Sequence, residues 1–138
     1  MTILVTGAAG FIGSYVCRAL QARGDAVVGL DGFNAYYDPR LKRDRIAALC
    51  PGVDIRALDL ADRRGLDALF DAVAPSRVIH LAAQAGVRYS LENPRAYVDA
   101  NLIGTFNVME CARELGVDHL LMASTSSVWN SRGLIRSR

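Results

Sequence analysis

The chain has 138 residues, 51% of them hydrophobic and 22% charged, which supplies one compact core and leaves little for a second. No apolar run approaches the about 18 residues that span a bilayer, and Met1-Thr2-Ile3 carries no basic stretch ahead of an apolar segment, so a soluble, cytoplasmic protein is expected. The net charge of +2 comes from Arg132, Arg136 and Arg138 in the last nine residues; without them 13 basic residues face 14 acidic ones, and these mixed signs argue against nucleic acid as a partner.

Thr2 to Val5 reads as a buried strand ended by a glycine turn, and Phe11 to Arg23 places Phe11, Ile12, Val16, Ala19 and Leu20 at helical spacing before Gly24. Ala26 to Leu30 is a second strand, ended by Asp31. An irregular loop over residues 32–38 leads to Pro39, which can begin a short helix towards Leu49. Val53 to Ala57, Arg77 to His80 with Leu81, and His119 to Ala123 read as further strands. Between them stand a helix from Asp62 to Val73 and a long one from Asn93-Pro94 to about Leu115, ended by Gly116. Alternation of this kind requires parallel pairing with right-handed crossovers, so the expected fold is α/β, a doubly wound Rossmann-like parallel sheet of order 3-2-1-4-5. Residues 1–129 form its one domain, and 130–138 an unstructured Arg-rich tail. Cys17, Cys50 and Cys111 are odd in number and too widely spaced for a disulfide framework or a metal site, so reduced, packed thiols and no metal are expected.

The chemistry gathers where strands end. Gly7-Ala8-Ala9-Gly10-Phe11-Ile12-Gly13 spaces three glycines at three-residue intervals between the first strand and first helix, where amides and the helix dipole meet a pyrophosphate. Asp31 follows Gly7 by 24 residues at the end of the second strand, the place of an acid that holds the adenosine ribose and favours NAD over NADP. Asp59-Leu60 can reach an adenine amino group, but Asp59 can equally cap the helix near Asp62, and the two readings stand level. Leu81-Ala82-Ala83-Gln84 is small enough to let a ring or ribose approach the backbone. Arg88 can meet a substrate carboxylate or phosphate, or be a solvated loop residue.

These segments, with Asn34-Ala35-Tyr36-Tyr37-Asp38-Pro39, Leu41-Lys42, Ala85-Gly86-Val87-Arg88-Tyr89-Ser90 and Ala123-Ser124-Thr125-Ser126-Ser127-Val128, resemble the extended short-chain dehydrogenase/reductases. Within them the chain is similar to NAD-dependent nucleotide-sugar epimerases of the UDP-glucuronate branch. The resemblance implies NAD as cofactor, a UDP-sugar as substrate and transient oxidation of the sugar C4, the cofactor carrying the hydride. It adds Asn34 and Lys42 to the cofactor-binding residues and gives Thr125 the catalytic Ser/Thr position, hydrogen-bonded to the C4 hydroxyl. Ser126 and Ser127 stand as tentative substrate contacts where 4,6-dehydratases carry Asp-Glu. The helix over residues 93–115 is implied as a homo- or hetero-dimer surface.

The sequence also departs from that family. No tyrosine follows Tyr97, so the family's Tyr-x-x-x-Lys proton-transfer pair is not in this sequence, and Val128-Trp129-Asn130 stands where relatives continue Val-Tyr-Gly. Gly32 replaces a common Asn and Tyr15 a common His. The expectation is an amino-terminal epimerase portion, truncated and inactive alone; the alternatives are a catalytically dead NAD-binding or hetero-oligomerising module, or a decayed gene fragment. An exposed edge on the fifth strand and a tendency to aggregate are expected with truncation.

Overall fold

A computed structural model describes residues 1–124. Thr125, Ser126, Ser127 and the 130–138 tail lie outside the described residues. Five strands, β1 (Thr2–Thr6), β2 (Ala26–Asp31), β3 (Asp54–Ala57), β4 (Arg77–His80) and β5 (His119–Met122), form one sheet of order β3-β2-β1-β4-β5, every pair parallel. This is the expected order. Thr6 stands opposite both Leu30 and His80, Asp31 opposite Ala57, and His80 opposite Met122. The carboxyl ends of all five strands therefore share one edge, and the direction of winding reverses between β1 and β4, where doubly wound sheets open a crevice.

Strand pleating divides the core. Leu4, Leu30 and Val78 face α3 (Arg63–Val73) and α6 (Thr105–Leu115), packing with Leu66, Phe70, Val108 and Cys111, while Ile3 and Val5 face α1 (Phe11–Ala22) with Ala8, Cys17, Leu20 and Cys50. The three thiols are free and buried, and burial pushes those of Cys17 and Cys111 up to about 12, leaving them protonated. The ends of α1, α3 and α6 follow local chemistry. Asp62 caps α3 by accepting the Gly65 N–H at 3.0 Å, and Gly24 and Gly116 take left-handed conformations beyond α1 and α6. Among the described residues no helix is long and apolar enough to cross a membrane.

Helix α2 (Pro39–Leu49), unlike α1, α3 and α6, has no buried residue. Its start is set by Pro39 at the first position and by Asp38, whose carboxylate accepts the Arg40 N–H at 2.9 Å.

The long helix expected from Asn93-Pro94 to about Leu115 runs without a gap but is not α-helical throughout. A short helix α4 (Tyr89–Glu92) precedes it, and Asn93 leaves helical geometry at φ −137° to cap α5 (Pro94–Tyr97), its side chain accepting the Ala96 N–H. The chain then widens into a π-helical segment, Val98–Gly104, before α6. The segment ends on Gly104, where a Cβ would lie 2.7 Å from that of Leu60, so only glycine permits this close crossing. Such a widening is invisible to a search for 3.6-residue periodicity.

Candidate functional site

Gly7 leaves β1 at φ +70°, and a Cβ there would lie 2.8 Å from the Ala82 nitrogen, so glycine lets the turn press against the exit of β4. The Gly10 N–H bonds to the Gly7 carbonyl and the Ser14 N–H to that of Gly10, both at 3.0 Å, and a Cβ on Gly13 would collide with the Gly7 oxygen. Gly7 and Gly13 are required by close backbone approach, while a Cβ on Gly10 would stand 3.1 Å from the Gly7 oxygen, a tight contact rather than a collision. Gly10 caps α1 without a side-chain hydrogen bond and no acid occupies the first turn, so among the described residues the amides of Phe11, Ile12 and Gly13 have no side-chain acceptor. The Phe11 and Ile12 side chains stay exposed at the mouth of this turn.

Beside the turn lies Asp31, 4% exposed. Its Oδ2 accepts the Ala9 N–H at 3.1 Å; its Oδ1 accepts the Phe33 N–H at 2.9 Å and pairs with Lys42 Nζ at 2.7 Å. A carboxylate offers about four lone-pair sites, so three donors leave one for a ribose hydroxyl. Lys42 holds Asp31 directly.

Across the crevice, Asn34 Nδ2 donates to Gln84 Oε1 at 3.2 Å, and Asn101 clasps the Gln84 backbone on both sides, accepting its N–H at 2.7 Å and donating to its carbonyl at 3.1 Å. Leu81 and Ala82 are half-buried, Ala83 is exposed and Gln84 is buried. The Tyr97 hydroxyl donates to the Ala85 carbonyl at 2.8 Å and sits against that of Gly86, whose φ of +96° brings the loop against the Tyr36 hydroxyl. Tyr36 and Tyr89 have ring centroids 4.7 Å apart, with Tyr89 and Tyr97 at 6.3 Å. Burial, with Tyr36 and Tyr89 nearby, raises the Tyr97 pKa, so it stays a hydroxyl donor. The two loops, 50 residues apart in sequence at Asn34 and Gln84, thus form one wall.

Asp59 is exposed and Leu60 buried. Asp59 Oδ1 accepts the Ala61 N–H at 2.9 Å, capping the turn before α3 while Asp62 caps the helix itself. The Leu60 side chain lies in the core and its carbonyl accepts from Asn107 at 2.8 Å, leaving its N–H as the group it can offer. Arg88 is exposed at the start of α4. Sequence reasoning did not single out Asn101, Tyr97 or Arg45 for the site. The first two stand four residues apart on the helix expected there, a signal of a shared face; Arg45 gave none.

The cradle of close-packed glycines, the uncapped helix amides and the buried acid with one free lone pair are the features a dinucleotide needs of its site. Such a fold and site define a Rossmann-type dinucleotide-binding domain. The model of the GDP-mannose 4,6 dehydratase family matches residues 4–133, and the chain belongs to that family. It is 50% identical over 133 residues to a probable UDP-glucuronate 4-epimerase of Rhizobium meliloti, covering 95% of this chain and 39% of that protein. It is 52% identical over 131 residues to UDP-glucuronate 4-epimerase 1 of Arabidopsis thaliana, covering 94% of this chain and 30% of that one. Among solved structures, the Bacillus cereus UDP-glucuronic acid 4-epimerase in complex with UDP-glucuronic acid and NAD superimposes with a TM-score of 0.83 at 36% identity, over 93% of this chain and 41% of that one. The chain thus spans about a third of the length of the curated relatives it matches.

Proposed function

We propose that this chain is the NAD-binding portion of a nucleotide-sugar 4-epimerase of the UDP-glucuronate/UDP-galacturonate type. The observation that carries the reading is Asp31, buried at the end of β2 with a lone pair free beside a helix start whose first amides lack side-chain acceptors among the described residues. Gly7, Gly10 and Gly13, with the amides of Phe11 and Ile12, bind the pyrophosphate; Asp31, Asn34 and Lys42 hold the adenosine end. Asp59 and the Leu60 amide face the adenine, and Leu81, Ala82, Ala83 and Gln84 shape the nicotinamide end. When bound, NAD supplies reversible hydride acceptance at the sugar C4. In this reading Thr125 orients the C4 hydroxyl, and Arg88, Ser126 and Ser127 meet the sugar nucleotide. Serines at 126 and 127, with relatives named as 4-epimerases at about half identity, favour epimerisation over dehydration.

Proton transfer needs a base with its pKa lowered, and no tyrosine follows Tyr97 in this sequence, so residues 1–138 alone turn over no sugar. The test is calorimetric titration with NAD+, with Asp31→Ala as control, alongside an assay for UDP-glucuronate conversion. Saturable binding lost in the variant, without turnover, is expected; absence of binding overturns the cofactor reading, and turnover overturns the inactive one.

A second element of the reading is assembly. Val98, Leu102, Phe106 and Met109 recur at helical spacing and are 42%, 67%, 58% and 46% exposed, an apolar stripe that suits pairing with the same face of another chain or relative. Light scattering should give a dimer that Phe106→Glu converts to monomer; a monomeric wild type rejects this arrangement.

A further inference from the structure

Ala9, in the middle of the glycine turn, joins two peptide units, and each of them is held. Its N–H donates to Asp31 Oδ2 at 3.1 Å, and its carbonyl accepts from Arg45 Nη1 at 2.9 Å. Arg45 lies three residues after Lys42 on α2, so both extend from one face of that helix, one to the turn and one to the acid beside it. Because α2 has no buried residue, these two cations form a polar attachment between the helix and the site. Ala8 is fixed separately, its N–H donating to the Leu30 carbonyl at 3.1 Å.

From this arrangement we infer that Arg45 is a positioning residue for the phosphate-binding turn: it holds the Ala9 carbonyl so that the amides of the following residues keep their open-side orientation before any ligand arrives. The inference rests on the dinucleotide reading for its purpose but not for its geometry. The Ala9 carbonyl shares its peptide plane with the Gly10 N–H, which donates to the Gly7 carbonyl at 3.0 Å, so Arg45 on one side and Gly7 on the other remove that plane's rotation about its flanking bonds. The guanidinium is suited to this role because it stays charged at all working pH and presents a planar fork rather than a single rotating point. Without it, the ligand-free turn samples rotated peptides, and binding is weakened by the fraction of time the turn is wrongly set. Arg45 needs no contact with the dinucleotide to act in this way.

The experiment compares the full 138-residue chain with Arg45→Met, Arg45→Gln and Arg45→Lys. Amide hydrogen exchange is read by NMR in the ligand-free state, and NAD+ and ADP-ribose affinities by calorimetry. In the methionine and glutamine variants, exchange at Ala9 and Gly10 should accelerate roughly tenfold while amides of β1 and β4 keep their protection, and both ligands should bind roughly tenfold more weakly. Lysine, which restores one charged donor, should recover part of both effects. Unchanged exchange at the turn, or equal loss of protection across the sheet in all three variants, overturns the positioning role. A wild-type chain that binds neither ligand overturns the dinucleotide reading alone, because the exchange comparison still decides what Arg45 does.

Discussion

Thr6 Oγ1 lies 2.7 Å from His80 Nδ1 at the carboxyl ends of adjacent strands, and that contact determines the state of the imidazole. The Thr6 oxygen also accepts the N–H groups of Leu81 and Ala82, each at 3.2 Å, so its own proton is directed at Nδ1. Nδ1 is then an acceptor, and Nε2–H donates to Thr105 Oγ1 at 3.0 Å. His80 is neutral, and burial lowers its pKa from the ordinary value.

Protonation would place a third donor on the Thr6 oxygen and compete with the amides that shape the Leu81-Ala82 turn. Because the folded pKa lies below the unfolded one, the unfolded chain takes up the proton first as pH falls. The contribution of His80 is therefore fully present above about pH 6.5 and is lost as pH falls from there through the folded pKa. Urea unfolding between about pH 7.5 and pH 5.5 should show wild-type stability declining more than that of His80→Asn. Parallel declines in the two chains would reject a neutral, buried His80.

Glycines at left-handed or crowded positions should differ in cost according to what a Cβ would meet. Gly13→Ala drives a methyl into the Gly7 carbonyl within a turn that cannot shift without moving β1, and should cost about 3 kcal/mol or more. Gly24, at φ +87° with nothing within 4 Å of its Cβ, has only the backbone penalty, so Gly24→Ala should cost about 1 kcal/mol. Chemical denaturation of both variants checks the ranking.

Asn101 provides a separate test of the π-helical segment. It satisfies both backbone groups of buried Gln84, and Asn101→Ala leaves an N–H and a carbonyl unpaired, a loss of about 1–3 kcal/mol. Faster hydrogen exchange at Gln84 with unchanged protection in β1 is the expected signature. Uniform loss would mean that Asn101 supports the fold at large.

Strand order was legible because alternation of strand and helix with crossovers of this length admits few topologies, and the glycine turn and Asp31 were legible because their spacing is imposed by the strand–turn–helix unit itself. The joining of residues 34–36 to residues 84–86 was not, since it depends on Asn34 meeting Gln84 and on Gly86 lying against the Tyr36 hydroxyl, tertiary contacts with no period in the sequence. Both segments had been singled out by resemblance, yet only the folded chain shows that they form one wall. The break at Asn93 was half legible: Asn-Pro marks a helix start, but α4 ahead of it is four residues long and leaves too short a pattern to read.

Asp31 and Lys42 form the most enclosed ion pair among the described residues, with side chains 4% and 12% exposed and 2.7 Å between Oδ1 and Nζ. Removing one member of such a pair leaves the other desolvated and uncompensated, a loss of about 3–5 kcal/mol when burial is complete and less here, where Lys42 retains some solvent. Asp31→Asn should therefore destabilise the fold as well as weaken dinucleotide binding, and a loss of binding in that variant alone is ambiguous. Adding Lys42→Met separates the effects. The double variant has no stranded ammonium, so its melting temperature should recover most of the loss, while its NAD+ affinity stays low because the ribose acceptor is still missing. Recovery of both would assign the Asp31–Lys42 pair a purely structural role; recovery of stability alone would place the pair at the ligand.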